Sequence, residues 1–300
     1  AADPILPWSI LTNRTFIVST AVGMLAMGGM IGVISYLPTY IQMVYGYSAT
    51  ASGLLLVPIT IGILVSSILS GVLVSRTDRY KIYPVLGPLM AAGAAFWLSR
   101  LTTSSPVWQI SAATFIMGSG IGLFFQLLVT VVQNALPARH LGTATSGNNF
   151  FREVGVSLGS SLIGAAFSSG LTSNLTDRIG ALARSADPAV LASLAQFREA
   201  DTSSLTPALV NQMPTVLHDA VASSYADALL PIFGWMVPLF VLTSVVALLL
   251  PEVPLSRKTG MEQVAEAERA ERAGSEESDG ESVERAAAAG VGRAEGSESV

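Results

Sequence analysis

Five polar or small residues recur at helical spacing inside a stretch that carries no charge. They are Ser119, Gly122, Gln126, Thr130 and Gln133. Steps of three and four residues place all five on one face of a helix. The surrounding stretch, 101–138, contains no Asp, Glu, Lys, Arg or His. Two interpretations fit this face: it lines a watery cavity that holds a small molecule, or it hydrogen-bonds to a neighbouring helix.

Aromatic residues and a second, shorter polar face accompany this pattern. Phe124 and Phe125 flank Gln126, where their rings either stack on a planar apolar ligand or face lipid. Near the N-terminus, Ser35 and Thr39 share a helical face with Gln42. We take Ser35, Thr39 and Phe124 as further candidates for a ligand cavity.

One pair of opposite charges directly precedes an uncharged stretch. Arg152 and Glu153 are followed by 154–176, which has no charged residue. Adjacent residues on a helix point in different directions, so the two need not form a salt bridge. Either both side chains reach toward a polar boundary, or Glu153 takes up and releases a proton in a water-filled interface.

The sequence lacks the residues that several kinds of catalytic chemistry require. The chain has no cysteine, and its two histidines, His140 and His218, lie outside the uncharged stretches. This leaves thiol nucleophiles, Cys-ligated zinc and bis-histidine haem ligation unsupported. No phosphate-binding loop and no cluster of metal ligands is evident in the sequence. We therefore expect neither an enzyme nor a bound cofactor.

The elements that carry these residues are predicted to be membrane-spanning helices. Of 300 residues, 51 % are hydrophobic and 12 % are charged, about half the usual share of charge in a soluble domain. A helix crosses the hydrocarbon core with about 20 apolar residues. A polar break at 42–52 divides the longest uncharged stretch, 15–75. The sequence thus predicts an all-α fold with six transmembrane helices at about 16–41, 52–75, 82–99, 107–134, 144–170 and 228–250.

Basic residues indicate how these helices are oriented. Alternating crossings bring four basic sites to one side of the membrane: Arg14, the loop with Arg76, Arg79 and Lys81, the loop with Arg139, and Arg257 with Lys258. Cytoplasmic loops are enriched in Lys and Arg. Both termini are therefore predicted to be cytoplasmic. Counting back about 20 residues from Gly170 then places Arg152 and Glu153 at the inner edge of the hydrocarbon.

The domain organisation follows from the same pattern. Residues 1–251 form the membrane domain, and about 171–227 form short amphipathic helices outside the bilayer, at Asp187–Pro188, Thr206–Pro207 and Met213–Pro214. Residues 252–300 hold 12 of the 21 acidic and six of the 16 basic residues, and no aromatic residue. We expect this segment to be an acidic, disordered cytoplasmic tail.

The loop between the second and third predicted helices resembles the loop motif of the major facilitator superfamily. That pattern is Gly, three residues, Asp, Arg, one residue, Gly, and then basic residues. Gly71, Arg76, Arg79 and Lys81 match it, whereas Ser75 occupies the place of Asp and Asp78 that of Gly. The departures weaken any latching role of this loop.

Three further segments are similar to the fourteen-helix multidrug/proton antiporter branch of that superfamily. They are 13–16, 118–126 and 142–159. The resemblance covers about 5–251 and only the last six helices, so it implies one half of a two-half transporter. By this resemblance, the first and fourth helices line the central cavity. The second and fifth would pack against the other half, with Gly155 and Gly159 at that contact.

The resemblance implies proton-coupled efflux of amphipathic compounds by alternating access, in the plasma membrane. The implied partners are the lipid bilayer, a small amphipathic substrate, protons and an N-terminal half, with no nucleic acid. Because the coupling carboxylates of the family lie largely in the first half, Glu153, with Arg152 beside it, is the proton-coupling candidate here. An importer of similar build, or a six-helix scaffold that does not transport, are the alternatives.

Overall fold

The computed structural model describes residues 7–77, 80–136, 141–184, 206–211 and 213–251, and within these ranges the chain is helical, without strands. The helices are α1 (Trp8–Leu11), α2 (Arg14–Tyr45), α3 (Ala49–Leu54), α4 (Val57–Thr77), α5 (Ile82–Ser99), α6 (Val107–Asn134), α7 (Leu141–Arg184), α8 (Pro207–Val210) and α9 (Thr215–Leu248). In the described part of the chain, six segments are long and apolar enough to cross a membrane. They are α2, α3 with α4, α5, α6, α7 and α9, which confirms the six predicted segments.

The break between the first two segments has a local cause. Gly46 ends α2 with a left-handed backbone, φ 70°, which glycine adopts without the steric penalty of a Cβ. The Ser48 side chain then accepts a hydrogen bond from the backbone N–H of Ala51 at 3.2 Å and caps α3. Such a cap satisfies a backbone donor that the first turn leaves free. The polar, turn-prone break expected at 42–52 is therefore explained by one glycine and one serine.

The outer parts of α7 and α9 differ from the prediction. The helix expected to end near 170 continues to Arg184, and the last helix begins at Thr215 rather than near 228. The predicted boundaries rested on the extent of the apolar, charge-free stretches, 154–176 and 228–251. Charge ends a membrane span, but it does not end a helix once the chain has left the lipid. Asp187–Pro188 lies outside the described residues. The other two predicted helix starts are present: Pro207 begins α8 after Thr206, and Thr215 begins α9 after Pro214.

These two extensions hold each other beyond the apolar spans. Arg178 of α7 forms an ion pair with Asp227 of α9. Leu217 is buried beside Ile179 and Leu182 in a small hydrophobic cluster of its own. At about 1.5 Å per residue, the 44 residues of α7 measure about 66 Å, more than twice the thickness of a hydrocarbon core of about 30 Å.

The core lies between α2, α5, α6 and α9, and the other two spans flank it. α5 packs against α6 and α9, and α9 packs against α2. α4 packs mainly on α6, while α7 packs on α2 and α9. Only 28 % of the most apolar stretch of the α3–α4 segment and 17 % of that of α7 are buried, against 61 % for α2 and for α6. α4 and α7 are therefore the spans that this bundle covers least.

Hydrogen bonds tie the loops together at each end of the bundle. At one end, the Asn13 side-chain amide donates to the carbonyl of Ala135 at 3.4 Å. At the other end, the Tyr45 hydroxyl donates to the carbonyl of Ser105 at 2.8 Å. α2 and α6 consequently run antiparallel, as alternating crossings require. The cytoplasmic assignment of the first end stays a prediction from the distribution of Lys and Arg.

Candidate functional site

The contact between α4 and α6 accounts for the small residues of the fourth predicted span. A Cβ on Gly62 of α4 would lie 2.8 Å from the backbone nitrogen of Ser119 and 3.0 Å from its hydroxyl oxygen. A Cβ on Gly118 or Gly122 would clash with the backbone of Ile59 or Ile63. Small residues thus let the two helices approach closely. Ser119, expected to line a cavity, instead lies at this helix–helix contact.

Phe124 belongs to the core as well. Its side chain is 1 % exposed and lies against Gly87 of α5, where an added Cβ would come 2.6 Å from the ring. The ring therefore fills the space between α5 and α6 and is unavailable to a ligand. This corrects the expected placement of Phe124, since one residue along a helix rotates a side chain by about 100°.

The C-terminal half of the polar face of α6 is accessible. Gln126 is exposed, and Thr130 and Gln133 are half-buried. The Thr130 hydroxyl donates to the carbonyl of Gln126 at 3.1 Å, and the Gln133 amide donates to the Thr145 hydroxyl of α7 at 3.4 Å. Gln133 therefore joins two helices, as the second interpretation of this face expects, whereas Gln126 is exposed and its place in a ligand cavity stays a prediction.

Arg152 reaches from α7 across to α6. The carbon at the centre of its guanidinium lies 4.5 Å from the centroid of the Phe125 ring, a cation–π distance. Its Nε is buried and has no hydrogen-bond partner. Arg152 thus places a positive charge between the two helices, on top of an aromatic ring.

The structure shows where this charge lies along the two helices. Arg152 lies 11 residues, or about 17 Å, after the start of α7 at Leu141, and Phe125 lies nine residues, or about 14 Å, before the end of α6 at Asn134. Both residues therefore lie within their helices, away from the helix ends. Because a helix can continue beyond the lipid, the placement of Arg152 at the inner edge of the hydrocarbon stays a prediction.

Glu153 points away from this contact. Its side chain is exposed, and no described residue forms a salt bridge with it. The exposed face that it begins continues along α7 with a series of hydroxyl side chains: Ser157, Ser160, Ser161, Ser168 and Thr172. Some of these hydroxyls donate to carbonyls of the preceding turn, as Ser161 does to Ser157 at 2.9 Å. Polar side chains of this kind in a span avoid lipid.

The opposite face of α7 packs on α2, which corrects one expectation. Gly155 and Gly159 were expected to contact another half of the molecule. A Cβ on Gly155 would clash with the backbone of Met24, and one on Gly159 with the backbone of Gly28. The pair therefore packs two helices of the same bundle together. The sequence could not specify which neighbour a small-residue pair contacts.

One buried hydrogen bond at this contact escaped the sequence analysis. The amide of Asn148 on α7 donates to the hydroxyl of Thr20 on α2 at 3.1 Å, and both residues are buried. The available signal was an amide near the start of a predicted span, since such groups hydrogen-bond between helices. Its partner 128 residues away carried no such signal.

The candidates on α2 and in the basic loop are separate from this face or only partly described. Ser35 is exposed, while Thr39 is half-buried against Tyr225 of α9. Gly71 is exposed with open space around it, and Arg76 is exposed in the last turn of α4. Lys81 precedes α5, and Asp78 and Arg79 lie outside the described residues.

An apolar cleft of about 630 Å³ lies between α2, α7 and α9. Its lining is glycine, methionine, leucine, isoleucine and the exposed ring of Trp235, so it offers no charged group to orient a polar ligand. No set of three His, Cys, Asp or Glu side chains within the described ranges is placed to hold a metal ion. The polar face with Gln126, Arg152 and Glu153 is therefore the candidate site.

Comparison with known proteins supports the resemblance found in the sequence. The family model described as Major Facilitator Superfamily matches residues 1–160. An uncharacterized MFS-type transporter of Mycobacterium tuberculosis is 36 % identical over 258 residues, which is 85 % of this chain and 35 % of that protein. Multidrug transporter protein MdtP of Bacillus subtilis is 28 % identical over 285 residues, 91 % of this chain and 52 % of that protein.

The fold is also similar to that of a solved transporter structure. A bacterial homolog of the human lysosomal transporter Spinster, in an inward-facing and occupied conformation, matches with a TM-score of 0.56 at 18 % identity. The match covers 81 % of this chain and 50 % of that one. This chain therefore spans between about a third and about a half of the proteins it matches. With a family match over more than half of its residues and six apolar helices in the matching fold, the chain belongs to the major facilitator superfamily, a family of membrane transporters rather than enzymes.

Proposed function

We propose that this chain is one six-helix half of a secondary transporter that exports amphipathic compounds in exchange for protons. The observation that carries the proposal is the polar surface of α6 and α7, where Gln126 and Glu153 are exposed and Arg152 is half-buried within the two helices. Charged and amide side chains within membrane helices need water or another protein surface beside them. A substrate path bounded by a second six-helix unit supplies both.

The poor burial of α4 and α7 supports the same arrangement. These two spans flank the polar face and contribute little to the core. α7 presents hydroxyl side chains, Ser157 and Ser161 among them, beside the exposed hydrophobic side chains of Leu158 and Leu162. A second unit that packs on α4 and α7 would enclose the polar face between the halves, as in transporters built from repeats.

Burial restricts the residues that we assign to the substrate path. Gln126 and Thr130 of α6 line it, with Gln133 at its edge, whereas Ser119 and Phe124 are taken up by helix packing. Glu153 carries the proton, because it is the carboxylate nearest to this face among the described residues. Rocking of the two halves would expose the path to each side of the membrane in turn.

Transport by the complete protein in liposomes tests the first assignment. We expect Glu153→Gln to lower dye efflux driven by a pH gradient by at least about tenfold, while energy-independent dye binding persists. Gln126→Ala should weaken the apparent affinity for the dye with a smaller effect on the maximal rate, as loss of one hydrogen bond does. Asp177→Asn is the matched control, since Asp177 is an exposed carboxylate on the same helix beyond the uncharged stretch.

The possible results of this experiment distinguish a wrong site assignment from a wrong proposed activity. If the wild-type protein moves the dye and is indifferent to both substitutions, the site assignment is wrong. If the wild-type protein moves no lipophilic dye in either direction, a six-helix scaffold is favoured over an exporter. Net uptake in place of efflux would support an importer of similar build.

A further inference from the structure

Arg152 has no counter-charge in the described part of the chain. The described acidic residues are Glu153, Asp177, Asp219 and Asp227. Glu153 is adjacent on the helix and makes no salt bridge with it. Asp177 lies 25 residues, or about 38 Å, further along α7. Asp219 contacts His218, and Asp227 pairs with Arg178.

The environment of Arg152 makes an unpaired charge energetically unfavourable there. Its side chain is half-buried, and its Nε is inaccessible to solvent and has no hydrogen-bond partner. A guanidinium partly buried between membrane helices is destabilised unless an anion or a hydrogen-bond acceptor faces it. The Phe125 ring offsets part of this penalty through its negative face, but a ring accepts no in-plane hydrogen bond.

The stacking on Phe125 also dictates which partner fits. One flat face of the guanidinium is covered by the ring at 4.5 Å, so the N–H donors along its edge remain for a partner. Those donors form a planar fork that matches the two oxygens of a carboxylate. The partner best suited to this geometry is therefore a carboxylate that approaches in the plane of the guanidinium.

We propose that Arg152 pairs with a carboxylate side chain of the second six-helix unit, so that the pair bridges the two halves. This inference rests on the proposed function, which supplies that unit. Arg152 is charged whether or not the substrate path is occupied, so it requires an anion that belongs to the protein rather than to a passing substrate. α4 and α7 are the two least buried spans and both contact α6, so a unit that covers both spans also faces Arg152.

Charge exchange in the complete transporter tests the pairing. We expect Arg152→Glu to lower dye efflux by at least about tenfold, because like charges then face each other across the halves. In that background, each acidic residue of the remaining spans is changed to Arg, one at a time. One of these changes should restore at least about a third of wild-type efflux and raise the thermal midpoint of the purified protein toward the wild-type value.

Arg100 provides a matched control for the ring contact. Its guanidinium lies 4.9 Å from the centroid of the Phe96 ring, but the residue is exposed at the end of α5. Arg100→Glu should leave efflux within about twofold of wild type, as expected of an exposed charge. A large loss in this variant would show that charge reversal itself disturbs folding. The scan would then combine Arg152→Gln with neutralisation of each acidic residue to its amide, since removing both charges of a pair leaves neither unpaired.

Three results would overturn the pairing. One is wild-type efflux by both Arg152→Glu and Arg152→Gln. Another is the absence of any rescuing acidic position in the completed scan. The third is an Arg152→Gln variant that loses transport of anionic dyes alone, which would make Arg152 a substrate contact. Wild-type protein that moves no dye contradicts the proposed function instead, so the two failures are distinguishable.

Discussion

Three consecutive side chains of α6 lie in three different environments. Phe124 is buried against Gly87, Phe125 lies beneath the guanidinium of Arg152, and Gln126 is exposed. The 100° rotation per residue distributes these three side chains to three different neighbours. A polar position in a span therefore indicates a site only when its own direction is known.

The buried hydrogen bond from Asn148 to Thr20 should be measurable as a coupling energy. We expect Asn148→Ala and Thr20→Val to be non-additive by about 0.6 kcal/mol, and by no more than about 1.7 kcal/mol, which is the range for hydrogen bonds between membrane helices. The measurement is a double-mutant cycle on the free energy of unfolding of the purified protein. Asn149→Ala, at the half-buried neighbouring position, should show no coupling to Thr20→Val. Equal coupling for both asparagines would contradict the assignment.

The sequence was sufficient for some residues of the site and insufficient for others. It indicated Gln126, Arg152 and Glu153 as candidates, because Gln126 is an amide inside an uncharged stretch and the other two are a charge pair directly before one. It did not separate Ser119 and Phe124 from them, because periodicity gives a helical face but not the neighbour of that face. It also missed the bond from Asn148 to Thr20, which depends on how α2 and α7 meet.

At the scale of elements, α7 has two faces with different roles. One face carries Gly155 and Gly159 and lies directly on the backbone of α2. The other carries Glu153 and a series of hydroxyl side chains and has no partner among the described helices. A helix of this composition is poorly suited to lipid on its hydroxyl face, which is why we place a second unit there.

The glycine face of α7 can be tested with single methyl groups. We expect Gly159→Ala to lower the free energy of unfolding by about 1–3 kcal/mol, because the added Cβ meets the rigid backbone of Gly28. Gly180→Ala is the matched control on the same helix, since nothing lies within 4 Å of its added Cβ. It should be neutral or stabilising by up to about 1 kcal/mol, through helix propensity.

Thermal unfolding of the two variants measures the difference. Similar midpoints for Gly159→Ala and Gly180→Ala would mean that α2 and α7 are not in backbone contact. A midpoint raised in both variants would have the same meaning. A loss confined to Gly159→Ala supports the packing.

Helix boundaries were predictable where an apolar stretch and a helix end together. α5 and α6 begin and end at the predicted residues, 82–99 and 107–134. α7 and α9 do not, because their helices continue past the apolar stretch with charged residues that pair with each other, Arg178 with Asp227. Hydropathy reports where lipid ends, and helix capping reports where a helix ends.

At the scale of the whole molecule, the orientation in the membrane is the open prediction, and labelling tests it. The 300 residues contain no cysteine, so single cysteines are unambiguous probes within this unit. We expect Thr77→Cys, at the end of α4, to react with an impermeant maleimide only from the cytoplasmic side. Thr103→Cys, between α5 and α6, should react only from outside; both residues are exposed. Reaction of both cysteines from one side, or the reverse assignment, contradicts the orientation.

Because α7 is one uninterrupted helix, a small change in its tilt moves its ends over a large distance. About 36 Å of its 66 Å must lie beyond a hydrocarbon core of about 30 Å. A tilt of about 10° in the bilayer displaces one end of the helix by about 11 Å relative to the other. Small rotations of this bundle are therefore amplified near Arg178, where a pair of spectroscopic labels on α7 and a fixed loop would register each cycle as a change in separation.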